Sequence, residues 1–362
     1  MKLSISTAKL QDMVARASKG VGNNKLIPIT SLICIEVKNN RLTLITTDAT
    51  NYLYITEDKF LNEDFYAVVD ANMFAKLVSK MTCDSIVLAV KDGVLVVKGN
   101  GTYKIELPLD ETGQPIKYPN PYNEDTIARE QKINLSTIRV ILDTLKPALA
   151  TTLEIPCYTG YYVGDSVIAT DTYKIADMDI KLFDQTSLIS AELMNLLSVM
   201  TSEMIQVSFI DGAIQFETPD CKIFGRPMEG IEDFAVEPIT ELVKTEFNSM
   251  CALPKNQLLQ VLDRLSLFVG TYDKNAIRLT FTNTGLEISS KALSGVEIIP
   301  YISSEEFRDF TCMIDVQMFT QEIKAVSADV INLYYGEDNA IKLEDGNITI
   351  IVALLEDEDE DE

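Results

Sequence analysis

The feature that most constrains this chain is a unit of about 120 residues, used three times and itself built from two similar halves. Two landmarks measure it independently. Asp48 and Asp171 lie 123 positions apart, and Gly93 and Gly212 lie 119 apart. The second half of the first unit reads as an apolar strand at 65–69, then a helix at 70–81 that Asp70 can cap. Strands at 86–90, 94–98 and 103–107 follow, the first two joined by Lys91-Asp92-Gly93, a strong hairpin signal. The same order returns at 187–228 with Asp211-Gly212 at the turn, and at 309–355 with Asp338-Asn339.

The first halves correspond too. A helix at 7–19 precedes Ile27-Pro28, a strand at 30–37, the turn Asn39-Asn40, and a strand ending in Thr47-Asp48. In the second unit a helix at 135–149 precedes Ile155-Pro156 and, after a further hairpin, Ala169-Thr170-Asp171. The third unit repeats helix (255–268), strand, Asn283-Thr284-Gly285 turn and strand, but lacks the Ile-Pro and Thr-Asp pairs. Each unit therefore reads as two helices on one face of a short, mostly antiparallel sheet, an α+β arrangement. The expected domains are 1–122, 123–243 and 244–355, followed by an acidic tail at 356–362. Prolines collect in the linkers: Pro115, Pro119 and Pro121 in 114–131, and Pro227, Pro238 and Pro254 in 227–254.

Residue types narrow the chemistry. There is no histidine, which removes the commonest general base and the commonest zinc ligand. The six cysteines form no Cys-x-x-Cys pair and sit in apolar stretches, so they read as free buried thiols, not metal ligands or disulfides. Gly20-Val21-Gly22 is too short for a phosphate loop and reads as a helix stop. No enzyme motif, cofactor or metal site is expected. The opening residues lack the apolar core of a signal peptide, and no apolar run reaches membrane-spanning length. The expected compartment is the cytoplasm.

Net charge is −24, which read evenly would argue against nucleic acid. The charge is not even. The six expected helices (7–19, 70–81, 134–149, 189–202, 254–272, 315–328) hold ten basic and seven acidic residues, a net of +3 that leaves −27 elsewhere. In the first helix Leu10, Met13, Val14 and Ala17 form the apolar stripe, and Arg16 and Lys19 lie off it. In the second, Lys76 and Lys80 share the outer face. Lys9, Arg16, Lys19, Lys76, Lys80, Arg139, Lys146, Arg264 and Lys324 are therefore the candidate DNA-facing cations, suited to weak, sequence-independent phosphate contact. A body this acidic would stay on duplex DNA by encircling it, and curved repeat arrays can close into rings.

At these residues the chain resembles the bacterial-type DNA sliding clamp, the β subunit of replicative DNA polymerase III. The telling stretches are Leu26-Ile27-Pro28-Ile29 running to Thr47-Asp48, and Ala169-Thr170-Asp171-Thr172-Tyr173-Lys174-Ile175-Ala176. The resemblance implies three clamp domains forming half of a head-to-tail homodimeric ring, with helices lining the hole around double-stranded DNA. It implies a dimer contact at Leu267 and Phe268. It also implies an apolar pocket for short Gln/Leu/Phe-containing peptides of the replicative polymerase and the clamp loader. The matching positions are Tyr158, Thr170, Thr172, Tyr173, Lys174, Ile175, Val236, Met318, Ile350 and Val352. Thr172-Tyr173-Lys174 stands where the family commonly has Gly-His-Arg, which would reshape the pocket mouth. The acidic tail reads either as a solubilising end or as a device that steers basic-flanked peptides to the pocket. The competing function is a clamp-fold interaction scaffold that does not encircle DNA.

Overall fold

The computed structural model describes residues 2–58, 64–120, 129–210, 212–270, 272, 274–292, 294–337 and 339–356. The turn residues Asp211 and Asp338, linker residues 121–128 and tail residues 357–362 lie outside the described residues.

Each half-unit is strand, helix and three-stranded meander. The first repeat comprises β1 (Lys2–Ser6), α1 (Thr7–Ala17), β2 (Leu32–Lys38), β3 (Arg41–Thr47) and β4 (Tyr52–Asp58), then β5 (Phe65–Asp70), α2 (Ala71–Ser79), β6 (Ser85–Lys91), β7 (Val94–Lys98) and β8 (Thr102–Glu106). The second comprises β9 (Arg129–Asn134), α3 (Leu135–Thr144), β10 (Gly160–Val163), β11 (Val167–Thr170) and β12 (Lys174–Met178), then β13 (Ser187–Ser190), α4 (Ala191–Leu197), β14 (Met204–Ile210), β15 (Ala213–Thr218) and β16 (Cys221–Gly225). A connecting helix α5 (Val236–Lys244) leads to the third. There β17 (Ser249–Pro254), α6 (Lys255–Leu265), β18 (Ala276–Thr282), β19 (Gly285–Ser290) and β20 (Val296–Ile299) are followed by a short extra strand β21 (Ser303–Glu305). The repeat ends with β22 (Phe310–Asp315), α7 (Val316–Ala325), β23 (Val330–Glu337), β24 (Ala340–Asp345) and β25 (Ile348–Ala353).

Local chemistry explains the element ends. The Asp70 carboxylate accepts a hydrogen bond from Met73 N at 2.7 Å, and Asp315 accepts from Gln317 N and Met318 N at 2.7 and 3.0 Å, capping α2 and α7. Asn39-Asn40 and Asp92-Gly93 take positive φ in two-residue hairpins, as the expected turns require. The α1 stripe of Leu10, Met13, Val14 and Ala17 is buried. Several helices are shorter than the apolar period suggested. Pro147, which cannot donate in a helix interior, turns the end of the expected 135–149 helix into a 3₁₀ turn at Lys146–Ala148. The expected 254–272 helix stops at Leu265, so Leu267 and Phe268 sit in a 3₁₀ turn, not in the helix. The stretch read as linker around Val236 is helical, with Ile239 on its buried side.

Every meander is antiparallel, and strands cross between repeats. In the eight-stranded sheet β5-β2-β3-β4-β16-β15-β14-β9, β4 of the first repeat pairs with β16 of the second. In the nine-stranded sheet β13-β10-β11-β12-β25-β24-β23-β17-β21, β12 of the second pairs with β25 of the third. The four-stranded sheets are β1-β6-β7-β8 and β20-β19-β18-β22. By packing, the chain forms two compact units. One is 1–138 with 192–227; the other is 139–191 with 228–362. The second repeat is thus shared between them: β9, most of α4 and β14–β16 belong to the first unit, and most of α3 and β10–β13 to the second.

Candidate functional site

The candidate peptide pocket is anchored by a small hydrogen-bonded cage between β11 and β12. The Thr170 hydroxyl donates to the Lys174 carbonyl at 2.7 Å and accepts from Thr172 N at 3.1 Å. The Asp171 carboxylate accepts from Tyr173 N and Lys174 N at 3.0 and 2.9 Å. This closes a turn in which Thr172 has φ of 81°, a conformation that costs a β-branched residue roughly 1–3 kcal/mol. Tyr173 is carried outward and is 64% exposed.

Lys174 goes the other way. Its side chain is buried, its ammonium donates to the Pro147 carbonyl, and it lies 3.3 Å from a carboxylate oxygen of Glu322 on α7 and 3.7 Å from Asp171. Glu322 is wholly buried. Burial pushes its carboxyl up to about 7, against the lowering effect of Lys174, while Asp171 adds to the rise. The resemblance names Lys174 as a pocket residue, and the sequence reads Glu322 only as a helix charge. Nothing periodic in the sequence links them.

Ile175, the next residue, faces the opposite side of the sheet. There Tyr158, Ile168, Ile175, Leu188, Phe234, Ile239 and Ile351 form one apolar cluster, with Val236 packed against it. Phe234 meets Tyr158 edge-on with ring centroids 5.1 Å apart and stacks on Tyr162 at 5.2 Å. Of the residues expected in the pocket, Tyr158, Ile175 and Val236 therefore come together. Ile350 and Val352 do not. They are buried on the other face of β25, where Val352 is paired with Lys174, and the β25 residue in the cluster is Ile351, opposite Ile175. A shift of one residue along a strand exchanges its faces, so the resemblance, which names Ile350 and Val352, and the cluster, which holds Ile351, point to opposite sides of β25. Met318 is half-buried on α7, four residues before Glu322 and on the same helix side.

The candidate DNA-facing cations divide as well. Lys19, Lys76, Lys80, Arg139, Lys146 and Lys324 are exposed. Lys9 lies 2.5 Å from Glu57. Arg264 is held in a two-pronged pair by Glu297, at 2.8 and 2.6 Å. Arg16 turns away from solvent. Its guanidinium donates to Asp220 at 2.7 Å and to the Val199 carbonyl at 3.0 Å. Burial would raise the Asp220 carboxyl, but Arg16, with Thr218 and Thr201, more than offsets this and holds it below its ordinary range. Arg16 thus serves a structural pair within the first unit.

Leu267 and Phe268 are 81% and 53% exposed. A β-carbon at Gly295 would come 3.4 Å from the Phe268 ring, so this apolar pair sits at the start of edge strand β20, where Val296 and Ile298 are also exposed.

Among the described residues no helix is long and apolar enough to cross a membrane. Residues 1–118 match the family model of the DNA polymerase III beta subunit, N-terminal domain. No curated protein matches the chain by sequence. Solved structures match almost end to end. The DNA polymerase sliding clamp of Bacillus subtilis is 17% identical with a TM-score of 0.85, covering 99% of both chains. The beta subunit from Streptococcus pyogenes is 17% identical at 0.86, covering 99% of this chain and 100% of that one. The Thermotoga maritima beta subunit is 17% identical at 0.83, covering 98% and 99%. The chain therefore has the sliding-clamp fold throughout, and its first 118 residues are similar to the N-terminal domain of the DNA polymerase III beta subunit.

Proposed function

We propose that this chain is a DNA sliding clamp. Two copies close into a ring around duplex DNA and tether a replicative polymerase through a peptide pocket, without catalysing a reaction themselves. The observation that carries the reading is a pairing rule with two vacancies. The outer strand of each first half pairs with the last strand of the following repeat: β4 with β16, and β12 with β25. By that rule β20 needs the last strand of a fourth repeat, and β8 needs the outer strand of a repeat before the first. Both are edge strands of their sheets among the described residues. A second copy offering β8 to β20 would satisfy both. Such a head-to-tail contact generates a ring when the rotation closes. Leu267 and Phe268 would then be covered together with Val296 and Ile298.

The three expected domains follow the repeats, and the cytoplasm is where such a clamp would meet DNA. The ring is tested by loading the protein with its clamp loader on nicked circular DNA. It should stay bound through a salt wash and fall off when the circle is cut. Equal retention on circular and linear DNA, or a native mass of one chain, would overturn encirclement and leave a clamp-fold scaffold.

The exposed cations allow a separate test. Replacing Lys76, Lys80, Arg139 and Lys324 by Ala should lower the salt dependence of DNA association by about one unit of slope for each phosphate no longer neutralised. Melting should barely change, because exposed substitutions cost within about 0.5 kcal/mol. Replacing Arg16 should instead destabilise the fold through Asp220. An unchanged salt slope in the fourfold variant would remove these residues from the DNA surface.

A further inference from the structure

The cage and cluster at the second cleft have a close counterpart in the first repeat. The Thr47 hydroxyl donates to the Asn51 carbonyl at 2.6 Å and accepts from Ala49 N at 3.0 Å. The Asp48 carboxylate accepts from Thr50 N and Asn51 N at 2.9 and 2.7 Å, and Ala49, like Thr172, has a positive φ, here 88°. The apolar residues below correspond by register as well. Tyr52 pairs with Phe224 as Ile175 pairs with Ile351. Cys34 pairs with both Val68 and Ile45, as Tyr162 pairs with Leu188 and Ile168. Tyr52, Phe224, Cys34, Val68 and Ile45 all belong to one apolar cluster, so the fold builds the same cleft twice.

What covers the two clefts differs. Helix α5 contributes Ile239 and Val236 to the second. The first is covered by an extended segment, with Tyr118 buried in the cluster and Ile116 packed against it. Lys117 between them is exposed, so side chains alternate in and out as in a seated extended peptide. Polar bonds tie the start of the segment to the loop before it: Ile116 N donates to the Pro108 carbonyl at 3.0 Å, the Gln114 carbonyl accepts from Asp110 N at 2.7 Å, and Gln114 N donates to the Asp110 carboxylate at 3.0 Å. The Tyr118 hydroxyl donates to the Leu32 carbonyl at 3.2 Å, Tyr118 N donates to the Tyr66 hydroxyl at 2.5 Å, and Tyr54 donates to Asn120 at 2.8 Å. Pro115 and Pro119 cannot donate, so the segment does not join the sheet as a ladder strand.

We propose that the first cleft is a second peptide-binding site, occupied in cis by the chain's own segment 114–120 through Ile116 and Tyr118. Emptied of that segment, it takes an extended peptide bearing an apolar and an aromatic side chain two residues apart. The proposal rests on reading the second cleft as a peptide pocket.

The test measures binding stoichiometry by titration calorimetry on the full-length protein and on I116A/Y118A. Y118A is carried alongside as the milder variant, and melting confirms that the protein assayed is folded. Two probes are used: a short synthetic peptide containing Gln, Leu and Phe, and a synthetic peptide of residues 112–120. The parent should bind the first probe once per chain and the second not at all. The folded variant should bind the first probe twice per chain, and the 112–120 peptide should now bind. A folded variant that still binds the first probe once and ignores the 112–120 peptide overturns the proposal. A parent that binds no Gln/Leu/Phe probe overturns the peptide-pocket reading instead, and the 112–120 arm still decides whether the first cleft is a site.

Discussion

Lys174→Met should cost about 3–5 kcal/mol of stability near pH 8 and far less near pH 5. The variant leaves the wholly buried Glu322 carboxylate without the ammonium that lies 3.3 Å away in the parent. The penalty belongs to the uncompensated charge, so it exists only while Glu322 is ionised. Burial already pushes that carboxyl up to about 7 in the parent, and removing Lys174 raises it further. At pH 5 the variant holds a neutral acid, and the remaining cost is the packing and the bond to Pro147 that Lys174 supplied. K174M/E322L should return close to the parent at both pH values, because apolar residues of similar volume replace a buried pair at little cost. Chemical unfolding at the two pH values measures this. A loss equal at pH 5 and pH 8 would show that the charge is not what matters.

The parent carries the same linkage with a definite sign. A carboxyl whose folded value lies above its unfolded value of 4.5 binds an extra proton in the folded state between the two. That stabilising contribution is fully present below pH 4.5 and is lost as pH rises through 7. Replacing Glu322 with Gln should therefore remove a downward slope of up to about 1.4 kcal/mol per pH unit in that window. The difference between variant and parent is the quantity to read, since many other carboxylates titrate over the same range.

The second large effect separates neighbours on β25. Ile350→Ala should cost about 2–5 kcal/mol of stability and leave the affinity of a folded protein for a partner peptide unchanged. Ile351→Ala, one residue on, should weaken peptide binding about tenfold or more, since it removes a wall of the cluster that contains Tyr158 and Ile175. Melting and peptide titration on both variants decide it. Equal affinity losses would mean that the peptide does not use the Ile175 face. The reverse pattern would restore Ile350 and Val352 to the pocket.

The legible part of this molecule was local. Asp70 and Asp315 announced helix starts because a cap acts within three residues. Asp92-Gly93 announced a hairpin because its φ requirement concerns two residues. The Thr-Asp pairs marked real cages, since their hydrogen bonds close within four residues. In the third repeat the pair is absent, but Ser290 keeps the hydroxyl, which accepts from Ser294 N and Gly295 N at 3.0 and 3.3 Å. The repeat period would have found it by counting about 120 residues from Thr170. Strands β1, β9 and β17 each pair with a strand far along the chain, a relation that the local turn and cap signals do not reveal.

The sequence by itself therefore determined the threefold repeat, its α+β halves, the turns and caps, and the uneven placement of charge. Each depends on neighbours a few residues away or on a period that can be counted. Only the tertiary structure decided which side of β25 meets the cluster, because a one-residue register shift exchanges the faces of a strand. Only it decided that Arg16 is tied to Asp220 and Lys174 to Glu322. Those pairings join segments with no periodic relation, and a charge on a helix looks the same in sequence whether it faces solvent or a buried partner.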